Sequence, residues 1–324
     1  MRMRMARIKV RGRGAVYHCI SRVVGGEMLL GALEKEKLRE MMWQQARFCG
    51  VEIVTYCLMS NHIHVVVRVP EKGVVRDEEL VERAVRFYGR RSVMVQAVEK
   101  AMGRQGGLPK DVREGLEGRM GDVSVFMKEL KQRFSKWYNR GRERYGTLWA
   151  ERFKSVVVED APSVVMAVAA YVDLNAVRAG LVKEPQEYRW SGYGEAVGGG
   201  EEARRGLASI QGGGQWGEVE VGYRRVLLVS GGEAGGTEKV ALSGEAIRRE
   251  LKRGGVLRMG QVLRLRVRYF TDGVVLGSRN YVNGLYGEYR DRFGPRRRSG
   301  ARPMRGVEAL GDLATMRDLR VDAV

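Results

Sequence analysis

Two of the three histidines in this 324-residue chain stand as His62-Ile63-His64. On a strand, the period of two places both imidazoles on one face, roughly 7 Å apart at Cα, and lets them share one divalent ion. Two satisfied structural histidines are the alternative. A second set lies further on, where Tyr171 and Asn175 are i and i+4 on an expected helix and Arg178 extends the same face. Asparagine is a poor helix-interior residue, so it needs a local reason to be there. A tyrosine hydroxyl with a pKa near ~10 is a weak nucleophile unless a metal or base assists it. A divalent cation held by two histidines and an amide oxygen would supply the Lewis acid for attack on a phosphodiester. The plainer alternative buries Tyr171 in the core and leaves Asn175 capping local structure. Tyr138 is the rival nucleophile, although its stripe with Phe126, Leu130 and Phe134 reads as core. His18 shares a strand face with Val16 and Ile20 and is taken as structural or as a DNA contact rather than as a third ligand.

These residues need elements to carry them. Residues 15–22 alternate as a strand, 34–48 read as a helix stopped by Gly50, and 51–59 and 62–69 read as two strands joined at Ser60-Asn61. A turn that short makes an antiparallel hairpin. Residues 71–121 are charged, contain helical pieces such as 77–91, and read as an insertion. A helix over 123–140, a strand reached through 148–158, and a helix from Pro162 through Val177, stopped by Gly180, complete a unit ending near residue 195. Glycine clusters mark 196–237 as linker. A basic, mainly helical unit is expected over 238–324, with a helix start at 243–251, a helix over 280–293 and a basic loop at 295–303.

The formal charge of +19 and the pI near 10.1 lie well outside the roughly 2–8 charges usual for small soluble domains. Such an excess points to a polyanionic partner. No apolar run approaches the ~20 residues that span a bilayer, so a membrane partner is not expected. The basic N-terminus has no signal-peptide core behind it. Three cysteines without CxxC spacing support neither a disulfide framework nor a zinc knuckle, and a reducing cytoplasm is the expected compartment. Arg2, Arg4, Arg7, Lys9, Arg11 and Arg13 would form a cationic arm able to follow phosphates, or a solubilising tail. Lys128, Lys131, Arg133, Lys136 and Arg140, beside Trp137, combine charge and stacking surface as single-stranded DNA requires, or form a solvated helix face. Arg178, Arg296, Arg297 and Arg298 are further candidate phosphate contacts.

Four ordered blocks resemble a known family. They are residues 56–67 (YCLMSNHIHVVV), 146–155 (GTLWAERFKS), 171–182 (YVDLNAVRAGLV) and 188–193 (YRWSGY). Over about residues 10–195 the chain resembles the REP-associated tyrosine transposases, within the single-tyrosine HUH superfamily. The resemblance implies an α/β (α+β) fold with a ferredoxin-like antiparallel sheet. It maps the nucleophile onto Tyr171, the histidine pair onto His62 and His64, and the remaining metal ligand onto Asn175. The implied activity is Mg²⁺- or Mn²⁺-dependent cleavage and strand transfer on single-stranded, hairpin-forming DNA through a 5′-phosphotyrosine, by a nucleoid-associated monomer or homodimer. A relative that binds hairpins without cutting them is the alternative. Ser60 and Ala176 stand where many relatives have proline, at positions without chemistry.

Overall fold

The computed structural model describes residues 7–229, 266–267, 269–293, 295, 297–304, 312–316 and 321–322. Its first half runs β1 (Ala15–Arg22), α1 (Ala32–Cys49), β2 (Glu52–Leu58), β3 (His62–Val69), α2 (Asp77–Tyr88), α3 (Val93–Gln105), α4 (Lys110–Glu117), α5 (Val123–Gly141) and β4 (Lys154–Val158). Valine and isoleucine dominate β3 and β4, and β1, β3 and β4 are buried on both faces, as central strands covered on two sides must be. Gly50 closes α1 in the left-handed conformation, at φ 63°. β3 pairs antiparallel with both β1 and β2, and β4 pairs antiparallel with β1. Spatial order β4-β1-β3-β2 with crossover helices α1 and α5 is the ferredoxin-like β-α-β-β-α-β arrangement. The expected α+β class is borne out. Three helices, α2 to α4, fill the charged stretch between β3 and α5.

After β4 come α6 (Pro162–Asp173), α7 (Asn175–Arg178), α8 (Gly192–Val197), α9 (Glu201–Ala208) and α10 (Trp216–Val229). The helix expected to run through Val177 breaks at Leu174, where ψ is near 0°. Much of the expected linker is folded. α9 lies so close on β2 that a Cβ on Gly206 would come within 2.2 Å of the Ile53 carbonyl oxygen, so this glycine serves close approach rather than freedom. Tyr223 of α10 is buried, and its hydroxyl donates to Asp173 at 2.6 Å. The same carboxylate accepts from the Thr55 hydroxyl at 2.9 Å and the Tyr193 amide at 3.0 Å. One buried acid thus ties the end of α6 to β2, α8 and α10.

The last described elements are β5 (Arg266–Val267), α11 (Tyr269–Asp272), β6 (Val275–Ser278), α12 (Arg279–Glu288), β7 (Arg302–Pro303), β8 (Leu313–Thr315) and β9 (Val321–Asp322). α12 falls where a helix over 280–293 was expected, whereas the helix start at 243–251 lies outside the described residues. Part of this region extends the first sheet instead of standing apart. β6 pairs parallel with β4, and β8 and β7 follow, giving seven strands in the order β2-β3-β1-β4-β6-β8-β7. The physical reason is an edge. Four strands would leave the valine run of β4 with unpaired backbone groups, and Val275 and Leu276 cover it.

The sheet has two differently dressed faces. α1 and α5 pack together on one, and α6 lies across β2 and β3 on the other. In the β1/β3 register Ile20 stands opposite His64 and Arg22 opposite His62. Alternation therefore turns His18, Ile20, Arg22, His62 and His64 to the α6 side.

Candidate active site

A cleft of about 480 Å³ opens on the α6 side, with His62, His64, Tyr171, Asn175, Lys154 and Asp272 among its lining residues. β3 supplies the imidazoles, whose ring centroids are 5.1 Å apart. From α6, the Tyr171 ring comes to 6.4 Å from His64 and 6.3 Å from His18, centroid to centroid. The Tyr171 ring, buried at 3% exposure, thus lies beside His64 and His18 at the cleft. Phe270 of α11 stacks on Tyr171 at 4.6 Å, and the Arg178 guanidinium lies over the same ring at 4.2 Å.

Hydrogen bonds decide which nitrogens face outward. His18 Nδ1 lies 2.8 Å from the Phe270 carbonyl oxygen, which can only accept, so Nδ1 carries the proton. Burial pushes the His18 pKa down to about 4, so the ring is neutral at pH 7 and its Nε2 is an acceptor. That Nε2 lies 2.8 Å from His64 Nδ1, so His64 donates from Nδ1 and keeps a lone pair on Nε2. His62 Nδ1 meets the Asn61 side-chain oxygen at 2.6 Å, which places its proton on Nδ1 too. Both imidazoles then carry the tautomer a metal ligand needs, oriented by an outer partner.

The break at Leu174 explains Asn175. Its amide nitrogen donates to the Val172 carbonyl at 3.0 Å and reaches Tyr171's at 3.5 Å, while Arg178 donates to the Tyr171 carbonyl at 2.6 Å. These carbonyls end α6, and side chains cap them. With the nitrogen engaged, the amide oxygen is the end of Asn175 suited to a cation. Among the described residues no three His, Cys, Asp or Glu side chains gather to hold a metal. His62, His64 and Asn175 line the same cleft, and imidazole nitrogens and an amide oxygen are donor types that can bind a divalent ion.

Residues 14–82 match the family described as "Transposase IS200 like". The match covers the hairpin that carries His62 and His64, and so the first of the four sequence blocks; the other three lie beyond it. One solved structure that aligns with the chain is a REP-associated tyrosine transposase bound to a REP hairpin, at 16% identity and a TM-score of 0.40, over 65% of this chain and 91% of that one. No curated protein matches. The IS200-like segment thus supplies β1, α1, β2, β3 and the histidine pair, while Tyr171, Asn175 and Phe270 come from beyond it. No helix among the described residues is long and apolar enough to cross a membrane.

Around the IS200-like segment the expected basic residues scatter. Lys128, Lys136 and Arg140 are exposed on α5, across the sheet from the cleft. Lys131 is buried and donates to the Glu151 carbonyl, and Arg133 donates to Gln44 and Gln45. Arg7 stacks on Phe153 at 3.6 Å and Lys9 pairs with Asp122, so this part of the expected arm is docked. Arg11 is exposed, and Arg13 pairs with Glu288 at 2.6 Å. Arg297 donates to the Ser299, Gly300 and Met316 carbonyls, and Arg298 is exposed. Arg178 is buried beneath Tyr171. Arg2, Arg4 and Arg296 lie outside the described residues. Two cations not singled out by sequence line the cleft instead, Arg22 and Lys154. Arg22 follows His18 and Ile20 by alternation, a signal that was present in the strand.

Tyr138 is buried in the α5 stripe, packed on Phe134, with Arg142 over its ring at 4.7 Å. It is a core residue.

Burial makes the site acid-sensitive. His18 and His64 are both pushed below their ordinary 6.5, by desolvation first. They stay neutral in the fold and charge on unfolding, so their contribution is complete above pH 6.5 and drains as pH falls toward 4. His18 alone accounts for about 3 kcal/mol over that range. Asp173, raised to about 6 by burial, acts oppositely, favouring the fold as pH falls from 6. Two imidazoles outweigh one carboxyl. The thermal midpoint should therefore drop between pH 6.5 and 4.5 in a calorimetric series; a flat or rising midpoint would contradict the burial argument.

Proposed function

We propose that this protein is a DNA strand transferase that cuts single-stranded, hairpin-forming DNA with Tyr171 as the nucleophile. The observation that carries the reading is the meeting of the Tyr171 ring with His64 in one cleft, 6.4 Å between centroids. In the proposed step the phenol oxygen attacks the scissile phosphorus in line and loses its proton. The bond from phosphorus to the 3′-oxygen breaks, and that oxygen takes up a proton. The products are a 5′-phosphotyrosine and a free 3′-hydroxyl. Because the phosphoester is kept on the protein, a second 3′-hydroxyl can reverse the step without ATP.

His62, His64 and Asn175 are the residues that would hold Mg²⁺ or Mn²⁺, which when bound supplies Lewis-acid activation of the phosphate. Arg178, stacked on the phenol ring, holds it and offers positive charge where negative charge develops on the attacking oxygen. Lys154 and Arg22 line the cleft where a phosphate backbone would pass. The catalytic unit of this proposal comprises residues 1–195, braced by α9 and α10, with the described C-terminal strands as an extension of its sheet. Of the expected contacts in the N-terminal arm and the basic loop, the exposed Arg11 and Arg298 are proposed to hold flanking DNA.

A panel of labelled hairpin oligonucleotides with single-stranded flanks, incubated with Mn²⁺, tests this reading. Cleavage accompanied by a denaturation-resistant protein–DNA adduct is expected. Tight hairpin binding without cleavage would instead establish a binding protein.

A further inference from the structure

We propose that the short C-terminal segment Tyr269–Asp272 is a working part of the cleft, and that its Phe270, together with His18, positions the reacting groups. The Phe270 carbonyl fixes His18, and His18 fixes which nitrogen of His64 faces the cleft. The Phe270 ring meanwhile stacks on Tyr171 and holds the phenol against the guanidinium of Arg178. The same segment brings Thr271 and Asp272 to the cleft wall, where Asp272 pairs with Lys154 at 3.4 Å. His18 and Phe270 are 252 positions apart. A residue outside the IS200-like segment thus sets the state of a histidine inside it. The roles assigned to Tyr171 and His64 rest on the proposed function; the contacts from Phe270 to His18 and from His18 to His64 stand apart from it.

The test uses the full chain with nitrogen-15-labelled histidine, free of metal and DNA, at pH 7.5. The His64 imidazole is expected to carry its proton on Nδ1. His18→Leu removes the acceptor and should move that proton toward Nε2, with Mn²⁺ affinity falling by about 10–100-fold. His18→Gln keeps an acceptor for His64 and should preserve both. Phe270→Leu keeps the carbonyl but loses the ring, and is expected to slow adduct formation at unchanged Mn²⁺ affinity. A wild-type His64 protonated on Nε2, or a folded His18→Leu with His64 and Mn²⁺ affinity unmoved, would overturn the proposal. Should His18→Leu fail to fold, the wild-type and His18→Gln spectra decide. Wild-type protein with the expected tautomer but no adduct on any hairpin would sink the strand-transfer reading and leave the relay standing.

Discussion

Tyr171→Phe is expected to abolish the covalent protein–DNA adduct, by roughly 10³-fold or more in rate, while hairpin binding persists. The substitution removes one oxygen. The ring's stacking on Phe270 and Arg178 depends on its face, so the local packing stays. A metal-dependent hydrolase using water would still cut DNA in this variant. Tyr138→Phe is the matched control, because Tyr138 lies in the α5 core across the sheet from the cleft. Its adduct should form at the wild-type rate. Binding and cleavage of labelled hairpin DNA by the two variants, run side by side in Mn²⁺, give the comparison. Loss of the adduct in Tyr138→Phe with retention in Tyr171→Phe would reverse the assignment.

His62→Ala carries the second large effect. His62 is only partly buried and sits at the start of β3, so its loss leaves the core packed. Removing a direct ligand should cost more than the about 10–100-fold that loss of an outer-shell partner costs. Both Mn²⁺ affinity, read by titration calorimetry, and the adduct rate are expected to fall together. Asn61→Ala, which removes the orienting oxygen 2.6 Å from His62 Nδ1 and a longer bond, 3.3 Å, to the Gly26 carbonyl, should fall in that smaller range. An adduct rate in His62→Ala equal to wild type, with Mn²⁺ affinity intact, would remove the histidine pair from the chemistry.

The elements were legible where one period ran unbroken. The valine run after His62 and the four-residue spacing from Phe126 to Tyr138 give β3 and α5 nearly to the residue. The two histidines share a face for the same reason. What the sequence hides is non-local pairing. His18 stands out only as a strand histidine until the β1/β3 register sets it beside His64. Phe270 lies in a stretch without periodicity, and its role depends on β6 joining the edge of β4. Tyr223 sits among glycines that read as linker, yet its hydroxyl closes the buried Asp173 network. The break at Leu174 carries no proline or glycine to announce it. Its cause is tertiary, with Asp173 held by Thr55, Tyr193 and Tyr223 and the freed carbonyls capped by Asn175 and Arg178.

The most direct measurement is mass spectrometry of the digested covalent complex. A nucleotide attached through a 5′-phosphate to the peptide containing Tyr171 is the predicted result. The same mass on the peptide containing Tyr138, or a cleaved 5′-phosphate with no peptide attached, would contradict the account.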